Sequence, residues 1–173
     1  MRLAAHDFMD FDRHADIDEM GGSDGCLVFS EPDNVGLENT WISSDSTADK
    51  PFFQTLYDDI YGPLGMSRGD YWVALGNAVV KAASPNQALN LPFRWGRLSV
   101  EDCSFSQGRQ PGATGCGDIE HVFIDRLGLS WRDATALMGG HTLGTSTITS
   151  LFTDRCFEFH LIYIFSLSRW RSS

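Results

Sequence analysis

The sequence predicts an all-α fold, and three patterns lead to that prediction. Ser67 and Ser130 each stand three residues before an aspartate and precede an apolar stretch, a capping box of the kind that begins an α-helix. The N-terminal segment carries Arg2 four residues before His6, so in a helix the two side chains lie on the same face. The segments between the apolar stretches are rich in Gly, Pro, Ser and Asp, which favours loops.

Six helices are predicted along the chain, over residues 1 to about 13, 34 to 43, 52 to 60, 67 to 83, 118 to 127 and 130 to 141. Asp118 is expected to cap the fifth helix, and Gly128 to end it. Residues 15–33 and 84–116 are expected to be loops. The second loop is long enough to indicate a function of its own.

Composition indicates one soluble globular domain. The chain has 173 residues, of which 42% are hydrophobic and 21% are charged, enough for a sizeable core. The net charge of −10 argues against a nucleic-acid partner, because phosphate binding needs clustered Lys and Arg. The apolar run Phe157–Trp170 is too short to span a bilayer as a helix, so no membrane span is expected.

Two features leave the compartment undetermined. Cys103 and Cys116 flank a short Gly- and Ser-rich loop and could pair, or could equally be free thiols, since spacing alone does not decide. Met1 is followed at once by Arg2, without a signal peptide, and the N-terminus is expected to be truncated or misassigned. The localisation is therefore left unknown.

Seven segments occur in the order typical of one family, at residues 2–7, 21–25, 33–39, 92–97, 108–113, 127–133 and 136–144. Together they resemble the plant, fungal and bacterial haem peroxidase superfamily. The loop 108–113 and the segment 136–144 are similar to those of cytochrome c and ascorbate peroxidases. The His6-Asp7 pair and the loop 21–25 are similar to those of the calcium-binding fungal and plant classes, so the subclass stays open.

The resemblance implies the distal half of a haem peroxidase domain, plus the helix that carries His141, within residues 1–148. Residues 149–173 match nothing in the family and are predicted to be a tail from mis-splicing or a frameshift. In the family several more helices follow the proximal histidine and supply an aspartate that hydrogen-bonds to it. The 173-residue chain is therefore expected to hold haem loosely, to be a poor peroxidase and to aggregate.

The resemblance also implies catalytic roles for Arg2, His6 and Asn34. His6 would take a proton from hydrogen peroxide and return it to the departing oxygen, while Arg2 would stabilise the charge that develops. Asn34 would accept a hydrogen bond from the other nitrogen of His6. His141 would be the axial ligand of the iron of haem b. The alternatives are a surface arginine with an ordinary helix histidine, a helix N-cap for Asn34, and a histidine at a helix C-terminus for His141.

Further family positions imply cofactor and metal contacts. Arg109, Pro111 and Ala113 lie in the segment similar to the haem-edge loop of the family. The residues similar to calcium ligands are Asp7, Gly22, Asp24 and Thr142. A solvated acidic turn is an equally good interpretation of that loop, since Cys26 stands where calcium-binding relatives have a serine.

The predicted function is that of a haem-dependent peroxidase that reduces hydrogen peroxide, oxidises a small-molecule or protein electron donor, and acts in the response to oxidative stress. The alternative is a truncated, non-catalytic relative that binds haem weakly or not at all. A third and weakest hypothesis is a metal-dependent hydrolase, whose ligands would be His6, Asp7, His14, Asp16 and His121. Its weakness is that these residues form no compact ligand motif.

Overall fold

The computed structural model describes residues 1–42, 52–112 and 116–142. The side chains of Ile42, His141 and Thr142, and the tail predicted at 149–173, lie outside this description. All regular secondary structure in these ranges is helical, without a strand, which confirms the all-α prediction. The chain forms two compact units, residues 1–110 and 111–173. No helix within the described ranges is long and apolar enough to cross a membrane.

Among the residues that the structure describes, the first unit contains four α-helices. They are α1 (Arg2–Met9), α2 (Leu37–Ile42), α3 (Phe52–Leu56), which continues as a π-helical turn to Tyr61, and α4 (Arg68–Ala83). Short 3₁₀ turns lie between or after them, at Ile17–Glu19, Pro32–Asn34, Pro85–Gln87 and Ser104–Ser106.

Two helix boundaries differ from the sequence prediction. α1 ends at Met9 and does not reach residue 13, because the next side chain, Asp10, is fully buried and accepts a hydrogen bond from the amide of Gly22 at 2.6 Å. α2 begins at Leu37 and not at residue 34. Gly36, with φ at +83°, separates it from the preceding 3₁₀ turn, and that φ value is incompatible with a continuous right-handed helix.

Only one of the two hydrogen bonds of the first capping box is present. Ser67 caps α4, because its hydroxyl accepts a hydrogen bond from the amide of Asp70 at 3.0 Å. The carboxylate of Asp70 does not return to Ser67. It accepts hydrogen bonds from the amide of Gly96 and from the guanidinium of Arg97, both at 2.8 Å. Asp70 therefore joins the start of α4 to the loop that follows the helix.

The core of the first unit lies between α1, α2 and α4. Its buried apolar members are Leu3, Leu27, Leu37, Trp41, Tyr71 and Trp72. The tryptophans Trp41 and Trp72 pack edge to face with 5.3 Å between ring centroids. Gly76 allows α4 to approach α1 closely, since a Cβ atom there would lie only 3.1 Å from the Cβ of Ala4. This packing fixes α1 against α4.

A disulfide joins two distant segments of the first unit. Cys103 pairs with Cys26, 77 residues earlier in the chain, and not with Cys116 as spacing had allowed. Both cysteines are buried. The bond ties the loop after α1 to the segment that leads to Arg109.

The second unit carries α5 (Cys116–Ile119), which continues as a π-helical turn Glu120–Arg126, and α6 (Trp131–Met138). Asp118 lies inside the first turn of α5 and does not cap it, so that part of the prediction was wrong. Ser130 caps α6 as predicted, because its hydroxyl accepts a hydrogen bond from the amide of Asp133 at 3.2 Å. A 3₁₀ turn, Gly139–Thr142, follows α6 and contains His141.

We predict that Asp70→Asn lowers the free energy of unfolding by about 2 kcal/mol at pH 7, the usual contribution of hydrogen bonds to a charged group. Burial alone would raise the pKa of Asp70, but the hydrogen bonds from Gly96 and Arg97 outweigh it and hold the pKa below its usual value. The native state thus favours the ionised form. The contribution is present above the unfolded pKa of about 3.9 and is lost as the pH falls through the lower folded value.

Urea unfolding at pH 7 and pH 3 would measure this contribution. Glu101→Gln is the control, because Glu101 is highly exposed in its ion pair with Arg68 and should change stability by less than about 1 kcal/mol. Equal effects of the two substitutions at pH 7 would contradict the role assigned to Asp70.

Candidate active site

α1 presents two different faces. Leu3 and Asp7, four residues apart, are 5% and 0% exposed and face the interior of the first unit. Arg2 is exposed and His6 is half-buried on the other face. The i, i+4 spacing of both pairs produces this division. The helix thus holds an arginine and a histidine together at its more accessible side.

Arg2 is fixed by two backbone carbonyls and by His6. Its Nη1 donates to the oxygen of Val35 and its Nη2 to the oxygen of Asp33, both at 3.0 Å. Its Nε donates to His6 Nε2 at 3.3 Å. The guanidinium is therefore held in place by the segment after the 3₁₀ turn, and its charge lies beside the imidazole.

Asn34 holds the other side of the imidazole. His6 Nδ1 lies 2.9 Å from Asn34 Oδ1, and Asn34 Nδ2 donates to the carbonyl of Val28 at 3.0 Å. The second contact orients the amide, so that its oxygen is the atom that faces His6. The contact predicted from the sequence is present, and Asn34, at 3% exposed, is well shielded from water.

These contacts define one tautomer of His6. Nδ1 carries the proton, because Asn34 presents an acceptor to it, and Nε2 is the acceptor, because Arg2 presents a donor. An imidazole in this state has a lone pair on Nε2 beside a fixed cation. It can accept a proton at that nitrogen while the neighbouring charge stabilises an anion.

The loop predicted to form the haem edge lies across the end of α1. The guanidinium of Arg109 donates to the carbonyls of Glu19 at 2.7 Å and Asp10 at 3.3 Å, and lies over the ring of Phe105. Gln110, which the sequence analysis did not single out, donates from Nε2 to the carbonyl of His6 at 2.8 Å. Its polar side chain beside Arg109 was the only sequence signal. Pro111 begins the second unit, and Ala113 lies outside the described residues.

Three aspartates, Asp7, Asp10 and Asp24, lie close together behind the face of α1 that carries Arg2 and His6. Burial raises the pKa of Asp7 well above its usual value, and the charges of Asp24 and Asp10 raise it further, against hydrogen bonds from the amides of Gly25 and Cys26. Burial likewise raises the pKa of Asp10 to about 7. Their mutual repulsion favours proton uptake.

The described residues do not form a metal site. Within 1–42, 52–112 and 116–142, no group of three or more His, Cys, Asp or Glu side chains is arranged to hold a metal ion. Both carboxylate oxygens of Asp7 accept hydrogen bonds from the amide of Gly25, and the amide of Gly22 donates to Asp10. The side chain of Thr142 is not described. The calcium ligand set therefore stays a prediction, and the ligands of the hydrolase hypothesis are not gathered.

Comparison with known proteins identifies the family. The peroxidase family matches residues 1–167 of the chain. The chain belongs to the haem peroxidase superfamily. The match extends beyond residue 148, where the sequence analysis had placed the end of the domain, and into the predicted tail.

Named relatives come from fungi and plants. A protein of Yarrowia lipolytica named as a heme-binding peroxidase is 29% identical over 83% of this chain and 45% of its own length. L-ascorbate peroxidase 5, peroxisomal, of Arabidopsis thaliana is 30% identical over 83% of this chain and 46% of its own. Cytochrome c peroxidase, mitochondrial, of Candida albicans is 28% identical, with 83% and 36% covered. This haem peroxidase chain thus spans less than half the length of these relatives.

We predict that Asp10 makes the protein less stable as the pH rises. Its folded pKa, about 7, lies above its ordinary value of 3.8. Its contribution is therefore fully present below the unfolded value and is lost as the pH rises through about 7, with a slope of at most about 1.4 kcal/mol per pH unit. Asp10→Asn should flatten the curve of unfolding free energy between pH 4 and pH 7.

Urea unfolding in the presence of a chelator, at half-unit pH steps, would measure that slope. Asp7 contributes with the same sign, so part of the slope persists in Asp10→Asn. Asp18→Asn, in the exposed turn Ile17–Glu19, removes the same formal charge without touching the cluster and should leave the slope unchanged. An identical flattening in both variants would show that net charge, and not burial, is responsible.

Proposed function

We propose that this chain is the hydrogen-peroxide-cleaving part of a haem-dependent peroxidase that oxidises an organic donor. The observation that supports the proposal most directly is the set of contacts around His6. One imidazole nitrogen is held by Asn34, and the other faces the guanidinium of Arg2. This arrangement provides a base and a charge stabiliser at the same place.

The chemistry of the candidate residues suits a haem. His141 would supply an imidazole of the type that holds haem iron, and Arg2 and His6 would supply the polar groups that act on peroxide. A bound haem supplies the redox chemistry, by taking up the oxidising equivalents of peroxide and passing them to the donor. The name of the Yarrowia lipolytica relative, a heme-binding peroxidase, supports the same cofactor.

The protein's own residues move the proton. His6 Nε2 accepts a proton from one oxygen of hydrogen peroxide and returns it to the other. The O–O bond breaks, the second oxygen leaves as water, and the two oxidising equivalents pass to a bound haem. Peroxide would replace the contact between Arg2 Nε and His6, which at 3.3 Å is longer than the other two hydrogen bonds of Arg2. Arg2 keeps its two carbonyl contacts during that exchange, so its charge stays in position to stabilise the developing anion.

The donor and the biological setting are extensions of this proposal. The relatives include proteins named for ascorbate and for cytochrome c, one a small molecule and one a protein. The net charge of −10 favours a neutral or cationic donor, because long-range fields steer association. Removal of hydrogen peroxide places the activity in the response to oxidative stress.

The alternative is a non-catalytic relative that binds haem weakly or not at all. A titration with haem separates this alternative from the proposal above. Bound calcium is a separate extension of the family resemblance, carried by the acidic residues Asp7 and Asp24. A rise in melting temperature on adding calcium at pH 7 would support it.

We predict that His6→Ala slows peroxide cleavage by about 10²–10⁴-fold in the haem-loaded protein, the usual contribution of a general acid–base group. Haem affinity should change far less, because His6 is not the expected iron ligand. Stopped-flow absorbance after mixing with peroxide measures the rate. His14→Ala is the matched control, because His14 is an exposed histidine in the turn that follows α1 and should leave the rate unchanged. An unaltered rate in His6→Ala would remove His6 from the mechanism.

We also predict that His141→Ala weakens haem binding by more than the roughly 10–100-fold that follows loss of an outer-shell partner, since it removes the expected iron ligand itself. A titration with haem, followed at the Soret band, measures the affinity of both proteins. His121→Ala, an exposed histidine of the second unit, is the control. A wild-type protein that shows no saturable Soret change would favour the non-catalytic alternative.

A further inference from the structure

We infer that Gln110 is a positioning residue that holds the distal histidine, His6, through the backbone of α1. The inference deepens the proposed function, on which its catalytic meaning rests. The structural part of the inference concerns the position of the His6 imidazole and the hydrogen bond from Gln110 to the backbone of His6. Gln110 lies 104 positions from His6 in sequence, and its Nε2 donates to the His6 carbonyl at 2.8 Å.

The carbonyl of His6 is in a position that needs an outside donor. α1 runs from Arg2 to Met9, so His6 is among its last four residues, whose carbonyls have no partner within the helix. Gln110 supplies a donor there. The hydrogen bond is made in the last turn of α1, so it acts directly on the backbone geometry at His6.

The three contacts to His6 hold different parts of the residue. Asn34 holds Nδ1 and Arg2 faces Nε2, and together they fix the ring. Neither contact fixes the backbone from which the ring projects. Gln110 does so, and the neighbouring Arg109 binds the carbonyl of Asp10 just beyond the end of α1. Two consecutive side chains of one loop therefore anchor the end of the helix that presents the base.

The amide of Gln110 is only half satisfied. Its Oε1 is buried and has no hydrogen-bond partner among the residues that the structure describes. An unpaired buried oxygen opposes the stability that the Nε2 contact provides. Removing the whole amide should therefore alter the geometry at His6 more than the stability of the fold, and this difference separates a positioning role from a merely structural one.

The test is an NMR experiment on the 173-residue chain without haem. Imidazole ¹H–¹⁵N correlations report the tautomer of each histidine and the exchange of its ring proton, and the spectrum of His6→Ala assigns His6. Gln110→Leu is compared with Gln107→Leu, the same substitution at an exposed glutamine three residues earlier. Gln110→Asn is the second variant, because it keeps the amide but shortens its reach.

In Gln110→Leu and Gln110→Asn we expect the ring proton of His6 to exchange about fivefold faster, the factor for one neutral hydrogen bond, and the second tautomer to become visible. The melting temperatures of the Gln110 variants, and the imidazole spectrum of Gln107→Leu, should stay close to those of the wild type. An unchanged His6 imidazole in both Gln110 variants overturns the inference. So does faster exchange of all α1 amides with an unchanged imidazole, because that describes a structural contact only.

The proposed function and the positioning role of Gln110 can be refuted independently. Wild-type protein that takes up haem yet cleaves no peroxide would refute the proposed function, and the imidazole spectra would still decide the role of Gln110. If wild type is active, Gln110→Leu should lower the rate of peroxide cleavage without a matching loss of haem affinity. Equal losses of rate and affinity would assign Gln110 to haem binding and overturn the positioning role.

Discussion

The burial of one face of α1 is the constraint on which the rest of the site depends. A helix in a protein is stabilised mainly by the packing of one face, so the position of α1 is set by what contacts it. Leu3 and Asp7 commit one face to the interior, and the 3.6-residue period then leaves Arg2 and His6 together on the other face. The geometry of the proposed chemistry is therefore a consequence of how the opposite side of the helix is buried.

The sequence predicted the fold where the signal is local. Ser67 and Ser130 each cap a helix as expected, because a capping hydroxyl needs only the amide three residues ahead. Prediction was poorer where distant residues decide. Asp70 has the spacing of a complete capping box, yet its carboxylate binds the amide of Gly96 and the side chain of Arg97. The end of α1 was likewise placed too late, since Asp10 is held by Gly22 across the following loop.

The candidate site shows the same division. The spacing of Arg2 and His6 predicted that they would share a face, and the family resemblance predicted the contact with Asn34, which the structure contains. Neither source assigned a role to Gln110, although the resemblance covers the segment 108–113 that contains it. A glutamine in a loop has no periodic signal, and its partner is a backbone carbonyl, a group that every residue carries. The pairing of Cys26 with Cys103 escaped prediction for a similar reason, because sequence spacing says little about which loops fold together.

These contacts form one continuous series that begins and ends at α1. Asp7 accepts from the amides of Gly25 and Cys26, and Cys26 is joined by its disulfide to Cys103. The segment after Cys103 leads to Gln110, which returns to α1 at the carbonyl of His6.

These contacts come from different segments of the first unit, and each of those segments is therefore linked to α1. Ionisation of Asp7 strengthens its hydrogen bonds from the amides of Gly25 and Cys26, but it adds repulsion from Asp24 and Asp10 on the buried side of α1. Consecutive residues of one helix, His6 and Asp7, thus connect the buried charge of the first unit to its proposed catalytic base.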